Sequence, residues 1–129
     1  MDAQLHHEPS DDLSALAWVQ EELRRALEGA HKALRRHLKE SEAAHGADVD
    51  AVDPAVLRGA RAHLHQGVGA LELVGLPAAA TLLRASEAVV QKFMARPQKL
   101  DAAAVEAVER ASFALLEYLG RLLAGKPVS

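Results

Sequence analysis

The tripeptide Gly75-Leu76-Pro77 narrows the possible folds of this chain more than any other feature. On its N-terminal side Leu57, Ala60, Leu64, Val68 and Leu71 recur by threes and fours, one apolar stripe on a helix that turns about 100° per residue. Glycine ends such a helix by accepting a left-handed backbone, and proline starts the next because the first turn does not need its missing N–H. A new stripe resumes at once through Leu76, Ala79, Ala80, Leu83, Val90 and Met94, widened by Leu82, Val89 and Phe93. So short a connection forces two helices to lie as antiparallel neighbours.

Two more stripes flank this hairpin. Leu13, Leu16, Val19, Leu23, Leu27, Ala30, Leu34 and Leu38 trace a first helix that starts behind Asp11 or Asp12 as its cap. Its other face carries Arg24, Arg25, Glu28, Lys32, Arg35, Arg36 and Lys39 and is read as solvated. Trp18 falls off the stripe, at a bundle edge or a contact with another domain. From Ser41 to Asp53 the period stops and Gly46 with acidic turn formers predicts a loop, closed by Pro54. The third helix ends near Arg96-Pro97. Asp101 then caps a last helix along Val105, Val108, Ser112, Leu115, Leu119 and Leu122. Alanine and leucine dominate while aromatics make up 3%, which favours close helices over sheets. The expected fold is all-α, an antiparallel up-down-up-down four-helix bundle over residues 11–125. Residues 1–10 are expected as a flexible tail, and 126–129 as the start of a linker to further domains.

Composition then removes whole classes of function. No cysteine is present, so thiolate metal sites and disulfides are excluded, and a reducing cytoplasm fits. No run approaches the roughly 20 apolar residues of a membrane span, so no membrane contact is expected. A net charge of −3 with both signs interspersed offers no basic stripe to nucleic acid. Glu28-x-x-His31 and Glu42-x-x-His45 have the spacing of di-iron bundles, but the first lies on a charged face and the second in or near the loop. No metal or cofactor is expected in this domain. His31, His37, His45 and His63 are read as solvated, and Gly67 as a site of tight helix packing.

His65 differs. It stands roughly 100° off the apolar stripe of its helix, within reach of solvent, and Gly69 follows one turn later on the same face. An exposed mid-helix glycine costs about 0.5–1 kcal/mol against alanine without a packing return, which suits a place where another surface comes close. Counted from His65, a glycine follows at the fourth position (Gly69) and the tenth (Gly75), and a carboxylate at the twenty-second (Glu87). That spacing resembles the histidine phosphotransfer (Hpt) family. The wording LHQGVGALELVGLPAAATLLRA and ASFALLEYLGRLLAGKP is similar to the N-terminal Hpt-like domain of CheA-type hybrid sensor kinases of type IV pilus chemosensory systems, a likeness that spans residues 11 to 127.

The resemblance implies a four-helix domain in which His65 accepts and donates a phosphoryl group. Its partners would be receiver domains of response regulators, with magnesium bound on the receiver, and the other domains of the parent kinase. Arg61, Gly69, Glu72, Arg84 and Glu87 would form the docking and supporting face. The family usually carries a lysine three residues after the histidine, and here that position is Val68. Arg61, Arg84 and Lys92 are the candidates to replace its charge. Without that cation the second expectation is a degenerate Hpt-like bundle that docks partner proteins and performs no transfer.

Overall fold

A computed structural model describes residues 9–43 and 54–125. Within them lie α1 (Pro9–Ala43), α2 (Ala55–Leu73), α3 (Pro77–Met94), a 3-10 turn (Pro97–Lys99) and α4 (Ala102–Leu123), with no strand. The all-α expectation holds as a four-helix bundle. Helix α1 packs on α2 and α4, α2 on α3, and α3 more sparsely on α4.

The expected helix signals act locally as argued. Gly75 has φ +76°, the Leu76 N–H bonds the Leu71 carbonyl at 2.9 Å and the Gly75 N–H bonds Glu72 at 3.1 Å, a Schellman closure of α2. Pro77 opens α3, and the Asp101 carboxylate accepts the Ala104 N–H at 2.9 Å to cap α4. Helix α1 is longer than expected at both ends. It begins at Pro9, ahead of Asp11 and Asp12, and residues 1–8 of the expected tail lie outside the described residues. Proline is a favoured first helical residue, which allows the earlier start. At the other end α1 runs through Ser41 to Ala43, because Glu42 and Ala43 are good helix formers and no breaker comes before Gly46. The remainder of the expected loop, with His45, and the expected linker at 126–129 lie outside the described residues.

The core joins all four stripes: Val19, Leu23, Leu27, Leu34, Leu57, Leu64, Leu71, Leu83, Val90, Val105 and Leu119 are each at most 1% exposed. Gly67 is buried where α2 meets Leu83 of α3 and Leu23 of α1, and a Cβ there would stand 2.8 and 3.0 Å from their methyl carbons. Close helix approach therefore explains it. Leu13, Leu82 and Val89, expected in the stripes, are exposed instead. Leu82 and Val89 line open hollows along the loose α3–α4 seam, where α4 contributes Ala107, Ala111 and Ala114 beside the larger Val108, Leu115 and Tyr118. Trp18 is also exposed.

Two histidines overturn the solvated reading. His37 is fully buried, and its Nε2 lies 2.9 Å from the Pro97 carbonyl oxygen. Its position is adjacent to Leu34 and Leu38 on the helix, and the 3-10 turn folds over it. His31 is half-buried with its ring edge-on to Phe113 at 5.8 Å. Burial pushes its pKa below the ordinary 6.5; Glu109 opposes that shift and Arg35 adds to it. His63 is exposed as a residue, yet its ring lies over Gly29 of α1, where a Cβ would come within 2.7 Å of it.

Candidate functional site

Helices α2 and α3 present a polar ladder along their shared outer seam. Arg61, His65 and Glu72 come from α2, spaced by four and seven residues on one flank of its buried stripe; Arg84, Glu87 and Gln91 answer from α3. The pairs run Arg61 with Gln91, His65 with Glu87, and Glu72 with Arg84, so numbers rise on one helix as they fall on the other.

At the centre, His65 Nδ1 lies 3.1 Å from Glu87 Oε2 and 3.3 Å from Oε1. The two side chains differ sharply in exposure, 67% for His65 and 13% for Glu87. A carboxylate only accepts, so the contact places a proton on Nδ1 of the imidazole. In the neutral ring the lone pair is then on Nε2, the nitrogen left for a reactant. Glu87 is itself flanked by Arg61, whose Nε stands 3.6 Å from Oε2 and donates to Gln91 Oε1 at 3.0 Å. A largely covered carboxylate shared between a guanidinium and an exposed imidazole fixes the ring's direction without enclosing it.

Gly69 lies one turn beyond His65, and a Cβ there would meet nothing within 4 Å. Gly75 belongs to the helix stop rather than to this surface. Arg84 and Glu72 form an ion pair with each other, which engages both away from His65. Val68 is 2% exposed and faces the core, so the position that carries lysine in the resembling family points inward in this chain. Of the cations considered as its replacement, Arg61 is the one held beside the His65–Glu87 pair; Lys92 belongs to a different hollow at the end of α3. Gln91 was not foreseen. Its signal was its place one turn after Glu87 on the same face of α3.

Compared with protein families, curated proteins and solved structures, the chain finds no match. Among the described residues no group of three His, Asp or Glu side chains is placed to hold a metal ion. No described helix is long and apolar enough to cross a membrane.

Proposed function

We propose that this chain is a histidine phosphotransfer domain of up-down-up-down topology, working in the cytoplasm as part of a CheA-like hybrid kinase of a type IV pilus chemosensory system. The observation that carries the reading is the His65–Glu87 contact, which directs an imidazole Nε2 to solvent while a carboxylate holds the opposite proton. Nε2 attacks the phosphorus of a receiver's aspartyl phosphate, the new N–P bond forms as the P–O bond to the aspartate breaks, and the aspartate leaves as carboxylate. The charged imidazolium that results is stabilised by Glu87, and return of the phosphoryl group to a second receiver reverses the step. Magnesium and the aspartate belong to the receiver, so the domain needs only a presented ring and an open approach, which Gly69 provides.

The test is incubation with a phosphorylated receiver and detection of an acid-labile, alkali-stable phosphoryl group on the chain. His65→Gln should abolish labelling and change stability by no more than about 0.5 kcal/mol, as expected for an exposed side chain. Labelling that persists in that variant removes His65 from the mechanism. The inward-facing Val68 supports a second reading, an inactive bundle that docks receivers through the same face. Binding of a receiver without any labelling selects it.

A further inference from the structure

At the end of α3, Lys92, Arg96 and Lys99 surround an open hollow of about 330 Å³ whose remaining walls are Phe93 and Ala95. No carboxylate lines it. Arg24, Arg25, Arg35, Arg36, Arg61, Arg84 and Arg121 each stand within 4.0 Å of a glutamate oxygen, but none of these three cations has an acidic partner among the described residues. The negative end of a helix accounts for Lys92 in the last turn of α3; Arg96 and Lys99 lie past that helix and gain little from it. Three like charges without an acidic partner among the described residues are therefore gathered around one hollow.

The backbone that carries them is held in place. The Arg96 N–H bonds the Phe93 carbonyl at 3.0 Å and the Lys99 N–H bonds the Arg96 carbonyl at 2.9 Å. The Pro97 carbonyl, between them, receives both the Leu100 N–H at 3.3 Å and the buried His37 ring at 2.9 Å. Leu100 is 5% exposed and anchors the far end in the core. Cations on a pinned turn lose less entropy on capturing a ligand than cations on a free loop.

We propose that this hollow binds a small phosphate-bearing molecule, its phosphate on Lys92, Arg96 and Lys99 and its apolar body against Phe93. The site is independent of His65. Phenyl phosphate, with inorganic phosphate for comparison, is titrated into the isotope-labelled full chain while amide chemical shifts are followed. Saturable shifts confined to residues 92–100 are expected, with phenyl phosphate the tighter ligand. Arg96→Gln with Lys99→Gln should weaken it at least about tenfold, the loss of charge-assisted phosphate contacts, on an unchanged fold because both side chains are exposed. His65→Gln should titrate as the wild type does. Failure to saturate by about 10 mM, shifts centred elsewhere, or an unweakened double variant overturns the site. Equal affinity for the two phosphates overturns the part assigned to Phe93.

Discussion

Gly67 and Gly69 stand two residues apart on α2, and the same substitution at each should move stability in opposite directions. Alanine relieves a helix-interior glycine by up to about 1 kcal/mol, chiefly by reducing the freedom of the unfolded chain. At Gly69 nothing lies within 4 Å of the added carbon, so Gly69→Ala should gain about 0.5–1 kcal/mol. At Gly67 the new methyl meets Leu83 Cδ2 at 2.8 Å and Leu23 Cδ1 at 3.0 Å, and both leucines are themselves at most 1% exposed. They can retreat only by disturbing the core, at an overpacking cost of about 1–3 kcal/mol. After the propensity gain, Gly67→Ala should lose up to about 2 kcal/mol. With an m-value of about 1.5 kcal/mol per M in urea, a gap of about 1.5 kcal/mol separates the two midpoints by about 1 M. Equal midpoints, or Gly67→Ala the more stable of the two, would refute the packing argument and with it the closeness of α1, α2 and α3 at this level.

Three further substitutions probe the proposed docking face and its surroundings. On the proposed phosphotransfer reading, Gly69→Glu should fold at least as stably as the wild type yet bind a receiver more weakly, by bulk and by repulsion from the acidic receiver site, and equal affinities by calorimetry would refute docking on this face. Val68→Lys, which introduces the lysine usual at this position in the resembling Hpt family, should lose about 1–3 kcal/mol in urea unfolding because its side chain starts from a 2% exposed position and must reach outward; an unchanged midpoint would mean that this stretch of core yields freely. His31 binds its proton more weakly folded than unfolded, so its contribution is complete above pH 6.5 and is lost as pH falls toward the lower folded value. His31→Leu should flatten that part of the stability–pH curve, and an identical slope in the variant would show that another group titrates there.

What could be read from the residues alone was whatever depends on near neighbours in the chain. The four helices, the Gly75 stop, the Pro77 start and the Asp101 cap all follow from helical period and backbone restriction within a few residues, and the stop, start and cap stand where the spacing placed them. The separation of His65 from Glu87 was legible as a number, and their contact became plausible once Gly75-Leu76-Pro77 folded two helices together. The boundary positions were not legible. Whether a side chain on the shoulder of a stripe is buried depends on what the neighbouring helix or turn lays over it, and a period cannot carry that information. His37 is buried because a 3-10 turn from sixty residues away supplies the Pro97 carbonyl, while Leu82 and Val89 are exposed because α4 keeps its distance from α3. Arg61 reaches Glu87 and Gln91 for the same reason: the partners of a long polar side chain are chosen across helices, where packing sets the register.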